Sequence, residues 1–183
     1  MLEIKHNCET NASEFVSTVE RPYLYLGSGL SNVKLIGVSV FRCNDCAQIS
    51  ASIPSMKELH KAIARILVQK KSKLTGSEVR FLRKRLGKRS VDFAQMTGMS
   101  AVGLSALESN EARQLAAGRD RLVRLLYKLL SDDKKLKAGL SEEDKFEEWI
   151  MSLDLKGERE SITATWQTNH RWSVTTEPLL LTA

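Results

Sequence analysis

The sequence predicts an α+β protein built from several small units, and three observations support this fold class. Residues 74–108 carry apolar side chains at the three- and four-residue spacing of short helices. Residues 33–41 form a strand-like apolar run, and residues 161–176 alternate polar and apolar side chains. We therefore divide the 183-residue chain into a β domain (1–52), a linking helix with a basic hinge (53–73), an all-α domain (74–131), and a tail with an acidic helix and a β-hairpin (132–183).

The N-terminal unit contains a Cys-x-x-Cys motif, Cys43 and Cys46, which directly follows the predicted strand. Two thiolates at this spacing on a tight turn can chelate one Zn²⁺, and a tetrahedral site needs two more ligands, for which the sequence offers Cys8 and His6. This layout predicts a zinc-ribbon-like domain, although its first knuckle lacks a second cysteine at the regular spacing. The alternative is a degenerate ribbon that folds without metal. A thioredoxin-like redox role is disfavoured because no βαβ pattern surrounds the motif.

The linking segment reads as an amphipathic helix over residues 56–69, preceded by Pro54 and a capping Ser55. We expect four apolar side chains on its buried side, namely Leu59, Ile63, Ile66 and Leu67. His60 is expected to lie at the surface. The basic sequence at residues 70–73 predicts a hinge before the next unit.

The central unit predicts a helix-turn-helix, in which a second and a third short helix are joined by a tight turn. Thr75 or Ser77 caps the first helix and Gly87 ends it. The second helix begins at a capping Ser90, and Gly98 supplies the turn. We expect inward-facing side chains at Val79, Leu82, Leu86, Phe93, Ala94, Met96, Leu104 and Leu107, with Ser100 as the cap of the third helix.

Positive charge is concentrated in the same region. Residues 61–89 hold eleven Lys and Arg against the single acid Glu78, whereas the whole chain has a net charge of +6. A charge excess so localised indicates a nucleic-acid-binding surface. The predicted double-stranded DNA contacts are Arg80, Lys84, Lys88, Arg89, Ser90, Ser100, Ala101, Val102 and Ser105. The alternative is an ordinary helical bundle with a solvated charged face.

The third helix of this unit has few side chains suited to reading bases. Bidentate contacts to guanine or adenine need Arg, Lys, Asn or Gln, and Ala101, Val102, Gly103 and Ala106 supply none. We therefore expect weak direct readout, or binding that depends on DNA shape.

A further helix is predicted over residues 119–130, with Leu122, Leu125, Leu126 and Leu129 buried. Because this apolar stripe is wide, Leu122, Leu126 and Leu129 are also candidate dimer or partner contacts. In the tail, a helix is expected to bury Phe146, Trp149, Ile150 and Leu153. The hairpin around residues 168–171 carries Trp166 and Trp172, which are predicted either to contact a partner or to pack on Phe146 and Trp149.

Several of these segments resemble the MqsA/YgiT-type antitoxins of bacterial toxin–antitoxin systems. The resemblance covers roughly residues 1–130 and rests on four motifs in order, Ser31-Asn32-Val33, Ile53-Pro54, Leu74-Thr75-Gly76 and Arg80-Phe81-Leu82-Arg83-Lys84. It implies an N-terminal zinc ribbon, an Xre-like helix-turn-helix, and a dimeric repressor that binds its own promoter and neutralises a toxin. The chain departs from the family pattern in the first zinc knuckle and at Ala106 and Leu107, where an Arg and an aromatic residue are usual.

Other functional classes are disfavoured by what the sequence lacks. It has no phosphate-binding glycine loop, no metal-hydrolase motif and no nucleophile beside a base, so we expect neither an enzyme nor a small-molecule substrate. No apolar run approaches the roughly 20 residues of a membrane span, and the N-terminus does not resemble a signal peptide, so a cytoplasmic protein is expected. The predicted function is an antitoxin-like repressor acting as a homodimer. The alternatives are a stand-alone Xre-type regulator of a phage or mobile element, and an interaction protein whose DNA binding is degenerate.

Overall fold

A computed structural model describes residues 12–137, 143–153 and 160–178. The strands in these ranges are β1 (Ala12–Val16), β2 (Tyr23–Leu24), β3 (Val33–Ile36), β4 (Ser39–Cys43), β5 (Ile49–Ser52), β6 (Glu160–Trp166) and β7 (Trp172–Pro178). The helices are α1 (Met56–Gln69), α2 (Gly76–Arg85), α3 (Ser90–Met96), α4 (Ala101–Glu108), α5 (Ala117–Leu130), α6 (Lys134–Lys137) and α7 (Glu143–Ser152). The α+β class is therefore confirmed. None of the helices in these ranges is long and apolar enough to cross a membrane.

The predicted strand over residues 33–41 is in fact two strands, β3 and β4, which belong to different sheets. The chain bends at Gly37, whose φ of +78° is one that side-chain-bearing residues rarely adopt. A Cβ at this position would also lie 2.8 Å from the carbonyl oxygen of Trp166. Because of this bend, β4 pairs antiparallel with β1 and β5 in a three-stranded sheet, and β3 turns towards the C-terminal strands.

The C-terminal hairpin completes a second, mixed sheet with the strand order β2-β3-β6-β7. The predicted hairpin is confirmed, with Trp166 paired to Trp172 across its end. Its strand β6 runs parallel to β3, in a register that places Val33 opposite Ile162. Asn32 supports this pairing, since its side-chain amide donates to the carbonyl of Glu160 at 2.6 Å. The hairpin thus packs on the N-terminal part of its own chain, and on α1.

The helical region begins as its sequence predicts. Thr75 and Glu78 form a capping box at the start of α2, and Gly87 ends that helix region with a φ of +65°. On α1, the side chains of Leu59, Ile63 and Leu67 are buried, whereas Ile66 is half-buried. One hydrophobic cluster continues from β3 and β4 through α1–α5 to β6, so the segments that we assigned to four units share a core.

The prediction for α5 was wrong about which face is buried. Its leucines at 122, 125 and 126 are only half-buried, and Leu129 is exposed. The face that meets the core instead carries Val123 and Tyr127 together with the charged pair Asp120 and Arg124. This face can be buried because Arg124 and Asp120 neutralise each other and Arg124 satisfies carbonyl oxygens of the neighbouring segment.

The tail helix α7 is less buried than its sequence predicts. Leu153, just beyond it, is buried, but Phe146, Trp149 and Ile150 are half-buried. Trp149 lies under the ammonium group of Lys128, whose Nζ is 4.2 Å from the centre of the ring. The hairpin tryptophans do not pack on this cluster: the indole Nε1 of Trp172 donates to the carbonyl oxygen of Pro54, which immediately precedes α1.

Candidate nucleic-acid interface

A tight turn joins α3 and α4, as the sequence predicts. Gly98 has a φ of +63°, and Met99 closes the turn by donating its N–H to the carbonyl oxygen of Ala94 at 2.9 Å. Ser100 caps α4, because its Oγ accepts from the N–H of Gly103 at 3.0 Å. Four apolar side chains hold the two helices on the core, namely Phe93, Ala94, Leu104 and Leu107. The outer face of α4 is therefore held rigidly towards solvent.

The cap of α3 differs from its prediction. Arg89 occupies the N-cap position without a side-chain capping bond, and Ser90 is the first helical residue. Arg89 instead forms a bidentate ion pair with Asp92, at 2.8 and 2.9 Å. This pair raises the pKa of Arg89 and lowers that of Asp92, chiefly through the side-chain hydrogen bonds. Because Arg89 is largely exposed and Asp92 is only half-buried, a phosphate can compete with Asp92 for the guanidinium.

The predicted phosphate-binding cations on α2 are exposed. Arg80 and Lys84 are exposed on α2, and Lys88 is half-buried in the turn that follows. No carboxylate in the described ranges lies within 4 Å of any of these three cations. The remaining predicted contacts, Ser100, Ala101, Val102 and Ser105, are exposed on α4, and Ser90 is half-buried on α3. The predicted contacts are thus exposed or half-buried, and none is fully buried.

Arg83 belongs to the same basic motif, but its side chain is held by contacts within the protein. Its guanidinium binds both carboxylate oxygens of Glu108 at 2.7 and 2.6 Å, and donates to the carbonyl of Lys88 at 2.9 Å. Hydrogen bonding to Glu108 raises the pKa of Arg83. The pair joins α2 to the end of α4, so Arg83 sets the angle of the exposed helix and is not available to a phosphate.

Arg85 is tied to the N-terminal part of the chain through His60, so the prediction of a surface His60 was wrong. Nδ1 of His60 lies 2.5 Å from Arg85 Nη1, and Nε2 lies 3.1 Å from the hydroxyl of Tyr25. The imidazole stacks on Tyr25 and meets the edge of Phe81. Burial, and then the charge of Arg85, lower the pKa of His60. A neutral imidazole is required here because Nδ1 must accept from the guanidinium.

The exposed face of α4 is apolar to an unusual degree for a surface that reads bases. Val102 is 80% exposed and Val91 of α3 is 63% exposed. Gly103 and Ala106 are also open to solvent, so Ser105 is the polar side chain on this part of the face. Such a face can contact thymine methyl groups, but it has no side chain for bidentate recognition.

Two cations outside the dense basic run, Arg113 and Arg119, lie beside the start of α4, and no sequence pattern indicated them. A cleft of about 360 Å³ is lined by Ser100, Gly103, Arg113, Gln114 and Arg119. Arg119 reaches back to within 3.5 Å of the carbonyl oxygen of Gly98. Arg113 and Arg119 lie outside the basic run at residues 61–89, so only the fold brings them beside the start of α4.

The proposed metal ligands are only partly within the described ranges. Cys43 is buried at the end of β4 and Cys46 is exposed in the following turn, which is closed by the Ala47 N–H donating to the Cys43 carbonyl at 3.0 Å. His6 and Cys8 lie outside the described residues. Within the described part of the chain, no group of three or more His, Cys, Asp or Glu side chains could hold a metal ion. Two thiols can supply only half of the four ligands of a tetrahedral zinc site, so zinc stays a prediction.

The predicted partner contacts have different surroundings. The rings of Trp166 and Trp172 lie 5.1 Å apart and are half-buried against α1 of the same chain. On α5, Leu129 and Leu130 are 48% and 46% exposed, whereas Leu122 and Leu126 are half-buried. The leucine side of α5 is therefore the more accessible of the two candidate contact surfaces.

These features define an α+β protein with an N-terminal antiparallel sheet, a central helical region, and C-terminal strands that join a mixed sheet. Comparison with known proteins finds no matching family model, no matching curated protein and no matching solved structure.

Proposed function

We propose that this protein is an antitoxin-like transcriptional repressor that binds duplex DNA through a helix-turn-helix formed by α2–α4. The observation that supports the proposal is the pair of exposed cations Arg80 and Lys84 on one side of α2, which have no carboxylate within 4 Å among the described residues. Unpaired cations on a rigid helical surface are what phosphate binding requires, since no intramolecular ion pair has to be broken first.

In this arrangement α4 is the helix that enters the major groove. Its N-terminus, capped by Ser100, lines the same cleft as Arg113 and Arg119, which add positive charge there. Val102 contacts thymine methyl groups and the Ser105 hydroxyl contacts a base edge or a phosphate. Because these contacts discriminate weakly, DNA shape supplies much of the sequence preference.

A salt titration of DNA binding tests the proposal. Fluorescence anisotropy would follow a labelled duplex from upstream of the gene at several salt concentrations. Replacing Arg80 and Lys84 together by Ala should weaken binding and reduce the log–log salt slope by about 1.8, at about 0.9 per phosphate contact. The matched control replaces Lys34 and Arg42, exposed cations of the N-terminal strands, and should change little. No binding at low salt, or equal slopes for the two variants, would refute DNA binding.

The N-terminal unit is proposed to be zinc-ribbon-like, with one structural Zn²⁺ on Cys43, Cys46, Cys8 and His6. Elemental analysis of the purified protein should then find about one zinc per chain. Cys43→Ser should lose that zinc. If the wild-type protein and the variant carry equally little metal, the ribbon is degenerate.

The dimer is proposed to form through the leucine side of α5, where Leu129 and Leu130 are exposed beside the half-buried Leu126. Two copies of α4 would then meet half-sites of an inverted repeat about 34–36 Å apart. Light scattering of the full-length protein should give a dimer that Leu129→Lys converts to a monomer. A monomeric wild-type protein at micromolar concentration contradicts the dimer.

The partner toxin is proposed to bind surfaces away from α2–α4. Expression together with the neighbouring reading frame should restore growth if that frame encodes a toxin. If no adjacent product is toxic and nothing copurifies, a stand-alone Xre-type regulator is the better description.

One observation favours a second candidate, an interaction protein with degenerate DNA binding. Val91 on α3 and Val102 on α4 are large apolar side chains exposed to solvent, which suit a protein contact better than a base contact. Val102→Arg distinguishes the two functions: it should strengthen or preserve duplex binding by a repressor, and it should abolish capture of a protein that binds this patch.

A further inference from the structure

A second candidate site lies between the tip of the C-terminal hairpin, α1 and α6, and no residue of α4 lines it. It is a cleft of about 380 Å³, whose lining includes Arg65, Lys135, Trp166, His170, Arg171 and Trp172. A volume of this size lies within the range of small-molecule sites, about 300–1,000 Å³. The residues that line this cleft come from three separate segments of the chain, so no local sequence pattern predicts the cleft.

One wall of the cleft is aromatic. Trp166 and Trp172 are directly paired across β6 and β7, with ring centres 5.1 Å apart and planes inclined by 57°. The hydrogen bond from Trp172 Nε1 to the Pro54 carbonyl, 3.1 Å long, fixes the second ring. His170 also lies near Trp166, with ring centres 6.0 Å apart. Half-buried, fixed rings of this kind offer a face for a planar ligand.

The rest of the lining is cationic. Arg65 is neutralised by Asp133 at 2.6 Å, but Lys135 and Arg171 are exposed and have no carboxylate within 4 Å in the described ranges. The acid of the lining, Glu58, lies 3.8 Å from Lys61 and is itself largely exposed. Two cations beside the aromatic wall therefore have no intramolecular counter-ion among the described residues.

We propose that this cleft binds a nucleoside monophosphate, with the base against Trp166 and the phosphate between Lys135 and Arg171. A phosphate monoester carries a charge of about −1.5 to −2 at neutral pH, which matches two unpaired cations better than a carboxylate does. Base–indole stacking is favourable for any base, so the site selects for a ring joined to a phosphate rather than for one base. The ligand would act as an effector, because the cleft contains no group placed to react with it.

Isothermal titration calorimetry of the full-length protein with adenosine monophosphate tests this site. Binding should be saturable, and adenosine and inorganic phosphate should each bind at least about tenfold more weakly because each lacks half of the recognised chemistry. Replacing Lys135 and Arg171 together by Ala should weaken nucleotide binding by about tenfold or more. Lys137→Ala is the matched control, since it changes an exposed lysine of the same short helix that does not line the cleft.

Tryptophan fluorescence locates the ligand. In a Trp149→Phe variant the remaining tryptophans are those of the cleft, and the nucleotide should still quench them. The absence of binding at millimolar nucleotide, or equal affinities for the Lys135/Arg171 double variant and the Lys137→Ala control, would overturn the proposal. Affinity that rises steeply with oligonucleotide length would also overturn it, in favour of a single-stranded nucleic acid. The Arg80/Lys84 double variant should keep full nucleotide affinity, so this test is independent of duplex binding.

Discussion

The buried guanidinium of Arg124 is expected to be a principal source of stability. Arg124 and Asp120 are both completely buried, and Asp120 also accepts from the N–H of Leu74. The Arg124 side chain donates to four carbonyl oxygens at the end of α1 and in the segment that follows, those of Leu67, Val68, Lys70 and Ser72. The guanidinium therefore caps the C-terminus of α1 and joins it to α5.

Replacing Arg124 by Met keeps most of the side-chain volume and removes every one of these bonds. An unpaired buried Asp120 costs about 3–5 kcal/mol. Each buried carbonyl that loses its donor adds about 1–3 kcal/mol. If only one carbonyl loses its donor, the total loss of unfolding free energy is about 5 kcal/mol, which is comparable to the whole stability of a marginal domain. Arg124→Lys should recover only part of this loss, because one ammonium group cannot reach all of the acceptors.

Urea unfolding, followed by circular dichroism, measures the effect. With a typical m-value near 2 kcal/mol/M, Arg124→Met should lower the midpoint by about 2–3 M. Arg121→Met is the control: Arg121 is on the same helix, half-buried, and makes one long contact of 3.4 Å to the Leu153 carbonyl. That control should lose less than about 1 kcal/mol. If the two variants unfold at similar urea concentrations, the buried network does not stabilise the fold. If Arg124→Met is too unstable to purify, the same comparison is made with Arg124→Lys, which should still unfold at lower urea than the control.

Three further predictions follow from the backbone and from His60. Gly76→Ala should destabilise the protein by about 1–3 kcal/mol in urea unfolding, because the new Cβ would lie 1.8 Å from a carbonyl oxygen at the end of α4. Gly118→Ala is the control: a Cβ there meets nothing within 4 Å, so this variant should gain up to about 1 kcal/mol of stability. Equal effects of the two substitutions would contradict this reasoning. Burial and Arg85 lower the folded-state pKa of His60 from 6.5, so the unfolded chain binds the proton more readily and the unfolding free energy should fall as the pH drops below 6.5. The unfolding free energies measured at pH 7.5 and 5.5 should therefore differ less for His60→Gln than for the wild-type protein. An unchanged pH dependence in this variant would exclude His60 as its source. His170→Gly should raise the melting temperature, because φ is +58° at this position and a left-handed residue with a Cβ costs about 1 kcal/mol. A lower melting temperature would mean that the contact of the imidazole with Trp166 outweighs this strain.

Among the candidate DNA contacts, Arg80, Lys84, Arg89 and the residues of α4 are exposed, whereas Lys88 and Ser90 are half-buried. The sequence could not show which cations of the basic run are held by contacts within the protein. Arg80, Arg83 and Lys84 stand in one short basic motif, and their chemistry is nearly the same. Arg83 differs because the end of α4 brings Glu108 beside it, a contact between residues far apart in the chain. Arg113 and Arg119 were missed for the complementary reason, since they join the surface only when the loop after α4 folds back.

Local features were determined by the sequence alone. The extents of α1 and α2, the capping box at Thr75 and the turn at Gly98 depend on neighbours within four residues and on backbone angles that particular residue types favour. The tertiary structure decided what depends on distant partners. Apolar periodicity shows that α5 is amphipathic, but its leucine side and its Val123 side were both available to a core. The buried side was decided by Arg124, whose charge is tolerated only because Asp120 and the end of α1 surround it. The parallel pairing of β3 with β6 likewise requires the whole helical region to fold between them, so no local pattern could predict that the hairpin would join β3 in the mixed sheet.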